Sequence, residues 1–388
     1  MAIDFATFNR VLPLVAAARF PVLMRGRHGI GKSESVYQFA QMINLPVVER
    51  RASQMTEGDL LGMPSPEQVE VNGTNAATLR PFAWLIRACT EPVVLFIDEI
   101  DRATMEVRQG FFQLCDSRTV GDWRLHPDTV IVAAVNGGEH GSHYQVGEMD
   151  PAELDRYTCF DLAPSVEDWI SYGSGNGTSS EQVSVAFQAA RDSFDSFKAS
   201  QKVPVDSMIV DFIRHNPNHL EHSDTFEPNK VYPSRRSWKR FSDTCSAASL
   251  LDDAKSNRGL IATLATAFVG LEASVAFTDF AVNYERQVTV EDIIDRGQFD
   301  KIATYGVAEH TAFVDKVKNS NILKNRLNAV QIQNIANWTV RLPSEVAMVL
   351  FMAIPNTGNA HGAANLVDIY ATTADNGLLV KDYITSII

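Results

Sequence analysis

Cysteine is scarce in this chain of 388 residues, and its four cysteines form no C-x-x-C pair. That spacing is typical of zinc sites and redox-active disulfides, while dense cysteines are typical of small secreted domains. We therefore predict structural thiols in a reducing compartment, and hence a cytoplasmic protein. The four are Cys89, Cys115, Cys159 and Cys245.

Positive charge and long apolar runs are also lacking. Lys and Arg number 34 against 47 Asp and Glu, a net charge of −13, so the surface as a whole disfavours nucleic-acid phosphates as a partner. The longest apolar runs, Val93–Ile97 and Val346–Ile354, are shorter than the ~18 residues of a membrane span. The first ten residues lack the basic start and apolar core of a signal peptide. We expect no membrane segment, no secretion and no nucleic-acid partner.

Apolar residues are plentiful at 45%, enough for a large core. Up to about residue 165, short apolar runs alternate with amphipathic segments, a pattern that predicts a parallel sheet with helices on both faces. Beyond Ser165, long segments such as 179–200 and 258–283 read as helices. We predict an α/β domain at 1–164, a helical domain at 165–305 and a helical extension at 306–388. The four predicted strands are 21–24, 45–48, 93–97 and 130–135, and the predicted helices between them are 32–42, 81–89 and 105–115.

The strongest local signal matches G-x-x-x-x-G-K-[ST] and lies between a predicted strand and a predicted helix. Glycines let backbone N–H groups curl around a phosphate, and the helix N-terminus adds its positive end. Lys32 is predicted to reach the β- and γ-phosphates, and the Ser33 hydroxyl to bind Mg²⁺. The α/β domain is thus predicted to be a P-loop NTPase that binds ATP through Gly26, Arg27, His28, Gly29, Ile30, Gly31, Lys32 and Ser33.

Polar residues follow two further predicted strands. Asp98 and Glu99 end the apolar run 93–97, and Asn136 follows the run 130–135. Ligands of open parallel sheets bind at the carboxyl ends of the strands, so we predict Asp98 as a Mg²⁺ ligand, direct or through water. Glu99 is predicted to polarise the attacking water, and Asn136 to orient it. The alternative role of Asn136 is to initiate a turn, because Asn-Gly-Gly at 136–138 is ordinary turn chemistry, and the stretch through His143 is predicted to be a flexible turn.

These residues together resemble the AAA+ ATPases, and among them the MoxR and dynein-related branch, over about residues 20–165. The segment 54–62 is similar to the one that precedes an insertion in this branch. Asp98–Ala103 resembles its Asp-Glu-Ile-Asn-Arg-Ala, with Asp101 in place of Asn. Asp150–Tyr157 is similar to a segment that ends in Asp-Arg-Phe, with Tyr157 in place of Phe.

The resemblance implies a ring, usually hexameric, with ATP bound between neighbouring subunits. It implies that Arg156 is the arginine finger that reaches the γ-phosphate held by the next subunit. A local ion pair of Arg156 with Asp155 or Glu153 is the alternative role. Arg118 and Arg124 are the competing finger candidates.

The segment Tyr232–Trp238 resembles the sensor-2 motif of the branch, commonly Ser-Pro-Arg. Arg235 occupies the proline position, so Arg236 is the aligned arginine, and Ser234 is predicted to cap the helix that begins there. An arginine at a helix start opposes the helix dipole, which suits a residue that meets an anion. A surface charge is the alternative interpretation.

The leading functional interpretation is an ATP-hydrolysing ring that remodels a protein client. The resemblance implies a partner with a von Willebrand factor A domain. A nucleic-acid motor on the same fold is the alternative, which the acidic charge disfavours. A small-molecule kinase is disfavoured by the acidic pair and the finger and sensor arginines, and a GTPase by the lack of Asn-Lys-x-Asp.

Overall fold

A computed structural model describes most of the chain, and its residues divide into two compact units, Met1–Tyr284 and Glu285–Ile388. The predicted functional division at residues 164 and 305 stays a prediction. The residues described are 2–136, 147–175, 180–201, 203–222, 226–284, 288–303, 305–320, 322–356 and 360–387.

The strands of the first unit form one parallel sheet and two small antiparallel hairpins. They are β1 (Val22–Arg25), β2 (Val47–Arg51), β3 (Met63–Val71), β4 (Thr74–Arg80), β5 (Val94–Asp98), β6 (Thr119–Val120), β7 (Trp123–Arg124), β8 (Val130–Val135) and β9 (Thr158–Asp161). The sheet has the order β2-β5-β8-β1-β9, and each neighbouring pair is parallel. All carboxyl ends therefore share one edge, which we call the carboxyl edge. The opposite edge is called the amino edge.

Side chains along the sheet strands alternate between two hydrophobic cores. Val132 and Ala134 of β8 pack into one core, whereas Ile131 and Ala133 pack into the other. The strands read as continuous apolar runs because both faces of the sheet are covered. The helices of the first unit are α1 (Phe5–Ala17), α2 (Lys32–Met42), α3 (Glu57–Leu61), α4 (Ala83–Thr90), α5 (Met105–Ser117), α6 (Pro151–Leu154), α7 (Val166–Gly173), α8 (Ser180–Ser200), α9 (Ser207–His215), α10 (Arg235–Ala247), α11 (Arg258–Val269) and α12 (Leu271–Asn283).

The predicted fold class is confirmed: a five-stranded parallel sheet flanked by helices, followed by a helical part. Several features were not predicted, and three of them bear on the site or the domain organisation. The strand β9 at the edge of the sheet is only four residues long, the hairpin β3–β4 follows directly after the segment 54–62, and Gly270 divides the predicted helix 258–283 into α11 and α12. At Gly270, a Cβ would lie 2.2 Å from the carbonyl oxygen of Val231, and its φ of +84° favours glycine.

The second unit is helical in its described residues and has a hydrophobic core of its own, with Trp338 fully buried. Among the described residues, none of the helices in the chain combines the length and apolar character that crossing a bilayer requires. The helices of this unit are α13 (Val290–Ile294), α14 (Val307–Asn319), α15 (Ala329–Thr339), α16 (Ser344–Ala353), α17 (Ala360–Tyr370) and α18 (Val380–Ile387).

Candidate nucleotide site

The loop between β1 and α2 has the backbone geometry of an anion cradle. Gly29 and Gly31 have φ values of +73° and +97°, which glycine adopts at little cost, and Gly31 caps α2. At Gly26, a Cβ would lie 2.8 Å from the carbonyl oxygen of Leu162. Arg27, His28 and Gly29 are exposed and Ile30 is half-buried. An open loop therefore leads into the N-terminus of a helix, where backbone N–H groups bind anions.

Lys32 lies at the first position of α2 and is only 8% exposed. Its Nζ donates hydrogen bonds to the carbonyl oxygens of Gly26 (2.9 Å) and Arg27 (2.8 Å), and to Oδ1 of Asn136 (2.9 Å). Burial lowers the pKa of this amine to about 8, although the charges of Asp98 and Asp101 oppose the shift. The structure thus joins the loop lysine directly to the polar residue that follows β8.

Asp98 ends β5 at the carboxyl edge, and its Oδ1 accepts a hydrogen bond from the backbone N–H of Glu99 (2.9 Å). Burial raises the pKa of Asp98, and that backbone hydrogen bond opposes the shift. Glu99 has a φ of +56°, an uncommon value for a residue other than glycine, and such backbone conformations occur often at functional sites. Oε1 of Glu99 lies 3.8 Å from the Arg102 guanidinium, three residues further along the turn.

Ser53 contacts the predicted water-polarising residue, and the sequence did not indicate it. Its Oγ donates a hydrogen bond of 2.6 Å to Oε2 of Glu99. The cause is strand pairing, because Arg51 at the end of β2 lies opposite Asp98 at the end of β5. Ser53 follows two residues later and so reaches the same edge. A serine after a strand has no motif of its own, so only the strand order could have found it.

Asp101, which stands where the resembling branch has Asn, fixes the position of Asn136. Its Oδ2 accepts a hydrogen bond from the backbone N–H of Asn136 (3.1 Å), and its side chain is 3% exposed overall. The Oδ1 atom is buried without a hydrogen-bond partner, and burial raises the pKa of this carboxyl. Asn136 itself is half-buried. The predicted turn beyond it, through His143, lies outside the described residues.

The donor set fits a magnesium ion in its chemistry. Ser33 supplies a hydroxyl and Asp98 a carboxylate, and Mg²⁺ prefers oxygen ligands, often only one or two from the protein together with substrate phosphates. Among the described residues, His, Cys, Asp and Glu form no group of three or more suited to a metal on their own. Phosphate oxygens and waters would supply the other ligands of an ion held by Ser33 and Asp98.

Arg156 follows α6 and contacts α5 rather than the residues of the phosphate loop. Its Nε lies 3.4 Å from Oδ2 of Asp116, its guanidinium lies 5.2 Å from the ring centre of Phe112, and it donates a hydrogen bond to the carbonyl oxygen of Ala152. Neither local alternative is the observed partner, since Glu153 pairs with Arg108. The side chain of Arg156 keeps 28% of its exposure.

Arg236 lies in the first turn of α10, where Ser234 caps the helix as predicted. It also contacts Asp116, at 2.7 Å, and lies 3.7 Å from Asp155. Arg235 instead pairs with Glu221 on the surface, at 3.4 Å. Arg236 and Arg156 therefore lie side by side at Asp116. The other predicted site residues lie together at the carboxyl edge of the sheet: Lys32, Asp98, Glu99 and Asn136.

The competing finger candidates have other surroundings. Arg118 donates hydrogen bonds to the carbonyl oxygens of His126 (2.9 Å) and Thr129 (2.6 Å), and burial lowers its pKa to about 10. These bonds hold the chain at the start of β8. Arg124 is exposed on the short strand β7.

Residues 21–156 match one family model, that of the AAA domain of the dynein-related subfamily. The solved structures similar to the chain include "a putative ATPase" from Cytophaga hutchinsonii. It is 14% identical, with a TM-score of 0.41, over 63% of this chain and 74% of that chain. No curated protein sequence matches the chain. Residues 21–156 are thus similar to the AAA domain of the dynein-related subfamily, and the loop, the acidic pair and Arg156 all lie within the matched residues. The finer MoxR assignment stays a prediction.

Proposed function

We propose that this chain, which carries an AAA domain at residues 21–156, binds and hydrolyses ATP at the carboxyl edge of its sheet. One observation carries the proposal: the phosphate loop, the Asp98-Glu99 pair and Asn136 follow three adjacent strands, β1, β5 and β8, and Lys32 is bonded to Asn136. Three groups suited to a nucleoside triphosphate therefore meet at one point.

Each residue of the site has a separate role in the proposed reaction. Backbone N–H groups of residues 29–33 bind the β-phosphate, and Lys32 exchanges its bonds to loop carbonyls for bonds to the β- and γ-phosphates. Ser33 and Asp98 would hold Mg²⁺, and the ion would neutralise negative charge on the phosphate oxygens when bound. Glu99 accepts a hydrogen bond from the attacking water and takes its proton, while Asn136 fixes the position of that water. Asp101 holds the backbone of Asn136 in place.

We further propose that copies of this chain assemble into a ring. In this ring, Arg156 of one subunit contacts the γ-phosphate of the ATP bound by its neighbour. The ring would use hydrolysis to remodel a protein client, with a von Willebrand factor A domain protein as the candidate partner. The net charge of −13 supports a protein client over a nucleic-acid track.

Glu99→Gln tests the proposed chemistry. An amide cannot take the proton from water, so we expect ATP turnover to fall ~10²-fold or more while ATP binding is retained. Turnover is measured by phosphate release and binding by calorimetry. Glu70→Gln, an exposed carboxylate on the hairpin, is the matched control and should keep full turnover. Normal turnover in Glu99→Gln would remove Glu99 from the mechanism.

The same variant tests assembly, because it holds ATP without consuming it. We expect mass photometry to detect a closed ring with ATP and smaller species without it. A monomer under both conditions would contradict the ring and the role of Arg156 between subunits.

A further inference from the structure

A cleft between α5 and α6 carries more acidic than basic side chains. Its volume is about 460 Å³, and Met105, Phe112 and Ala152 form the apolar part of its lining. The charged residues of the lining are Asp116, Asp150, Glu153 and Arg156. Since three carboxylates face one guanidinium, we call this space the acidic cleft.

Two of the three carboxylates of the acidic cleft already have cations of the same chain as partners. Glu153 pairs with Arg108, and both side chains are buried. Asp116 contacts three arginines: Arg156 at 3.4 Å, Arg236 at 2.7 Å and Arg240 at 3.5 Å. The negative charges of Glu153 and Asp116 are therefore compensated within the chain.

Asp150 is the carboxylate that differs. It is exposed, and its Oδ1 accepts a hydrogen bond of 2.7 Å from the backbone N–H of Glu153, which caps α6. Among the residues that the structure describes, it forms no ion pair with a lysine or an arginine. Asp150 is thus open to a cation supplied by another molecule.

The phosphate loop offers a cation that matches it. The side chain of Arg27 is exposed, and it too lacks an ion-pair partner in the described part of the chain. Its carbonyl oxygen accepts a hydrogen bond of 2.8 Å from Nζ of Lys32. Arg27 therefore begins beside the amine that is proposed to bind the γ-phosphate, and a guanidinium is well suited to ion pairs at interfaces.

The acidic cleft and the phosphate loop lie toward opposite edges of the sheet within one chain. Thr158, two residues after Arg156, donates its N–H to the carbonyl oxygen of Pro21, just before β1. The loop follows the other end of β1, a strand of four residues that spans about 13 Å. An Arg156 that reaches a γ-phosphate, as proposed for the ring, therefore brings the acidic cleft onto the loop of another copy.

The same contact brings Asp150 to that loop. Asp150 precedes Arg156 by six positions, and α6 occupies most of them, so the helical rise separates the two by about 9 Å. Arg27 is the one arginine between Gly26 and Ser33. Beside a γ-phosphate held by Arg156, the cation nearest in kind to what Asp150 lacks is therefore Arg27 of the neighbouring subunit.

We propose that Asp150 of one subunit binds the guanidinium of Arg27 of its neighbour, so that an ion pair joins the acidic cleft to the phosphate loop. The occupant of the acidic cleft is thus a second copy of this chain. Two different surfaces meet in this pair, a type of contact that can close into a ring. The inference rests on the proposed ring and deepens it, since it assigns a specific pair to the contact between subunits.

An exchange of charges tests the pair. The variants Arg27→Glu and Asp150→Lys are made in the Glu99→Gln protein and studied with saturating ATP by mass photometry. Each variant alone places like charges together at every interface, so we expect its rings to be lost at a concentration where the Glu99→Gln parent assembles. In an equal mixture, a ring in which the two variants alternate has opposite charges at every interface, so rings should return.

The mixture separates this inference from the proposed ring. Rings of the parent without rings in the mixture would overturn the pair and leave the ring standing. Normal rings of either variant alone would do the same. A pair within one chain would gain nothing from mixing. A parent that stays monomeric with ATP would overturn the ring and the pair together.

Milder variants keep the test valid if Asp150→Lys disturbs α6. Asp150→Asn removes the charge but keeps the cap, because Asn and Asp are equally good at this position. It and Arg27→Gln should each raise the protein concentration needed for half-assembly ~3-fold or more, and the double variant should raise it no further.

Asp122→Asn, an exposed carboxylate between β6 and β7, is the matched control and should leave assembly unchanged. Circular dichroism checks the folding of each variant. Losses that add in the double variant, or no loss in either single variant, would overturn the pair.

Discussion

At the scale of single residues, Lys32 has a buried amine, and all three of its hydrogen-bond donors are satisfied by protein acceptors. Its three acceptors are two loop carbonyls and the Asn136 amide. Burial disfavours its charged form, so its pKa is lowered to about 8. A phosphate would reverse that shift, because a nearby negative charge favours the protonated amine. Binding and protonation are therefore linked at this residue.

We predict that ATP affinity depends on pH through Lys32. Below about pH 8 the free protein already holds the proton, and affinity changes little. Above it, binding must take up a proton, so affinity should fall ~10-fold per pH unit. Calorimetry between pH 7 and pH 9.5, in buffers of different ionisation enthalpy, measures both affinity and proton uptake. Circular dichroism at each pH controls for unfolding, and a constant affinity would contradict the prediction.

Some site residues could be predicted from the sequence because each directly follows a strand. Asp98 and Asn136 end runs of apolar residues, and the loop with Lys32 has its own motif. Asp116 could not be predicted, because its partners are 40, 120 and 124 positions away in the chain. Only the packing of α5 against α6 and α10 reveals that these residues meet.

At the scale of elements, a buried ion pair joins α5 to α6. Arg108 bonds Glu153, and both side chains are 6% exposed. Arg108 also donates to the carbonyl oxygen of Glu148 (2.9 Å). Burial raises the pKa of Glu153, and the charge of Arg108 opposes that shift. This contact holds the short helix that precedes Arg156.

Arg108→Ala should lower the free energy of unfolding by about 3–5 kcal/mol, because it leaves Glu153 buried without a counter-charge. Denaturation in urea measures the loss. Arg87→Ala, which breaks the exposed pair with Glu91, is the control and should cost about 0–1 kcal/mol. The double variant Arg108→Met with Glu153→Leu should be more stable than Arg108→Ala. Equal losses at the buried and the exposed pair would contradict this account.

The elements were predicted where a regular apolar pattern exists. The helix 32–42 has the predicted bounds because a glycine precedes it and the apolar spacing continues through it. The hairpin β3–β4 is exposed almost throughout and contains prolines, so its alternation carries no hydrophobic signal. β9 is short, and only its pairing with β1 identifies it as a sheet strand.

At the scale of the whole molecule, the two units have separate cores. The two large cores of the first unit are built from residues 3–281, and the core of the second from residues 288–384. A unit that buries its own apolar surface can fold alone. The candidate nucleotide site, Arg156 and Arg236 all belong to the first unit.

We therefore predict that residues 1–284, produced alone, unfold cooperatively and bind ATP with the affinity of the full chain. Residues 285–388 alone should give a helical circular dichroism spectrum and a cooperative thermal transition. Differential scanning calorimetry of both fragments measures this. A first fragment that is unfolded, or a second without a transition, would show that the cores depend on each other.

The side chains of β8 alternate between two cores, and this alternation limits which mutations the strand can accept. Val130–Val135 is buried on both faces, and odd and even positions belong to different cores. Loss or gain of one codon here would send every later side chain to the wrong face and shift Asn136 away from Lys32. Conservative replacements would be tolerated at the same positions. We therefore expect apolar substitutions within β8 to be tolerated, and insertions or deletions of one residue within β8 to be disruptive.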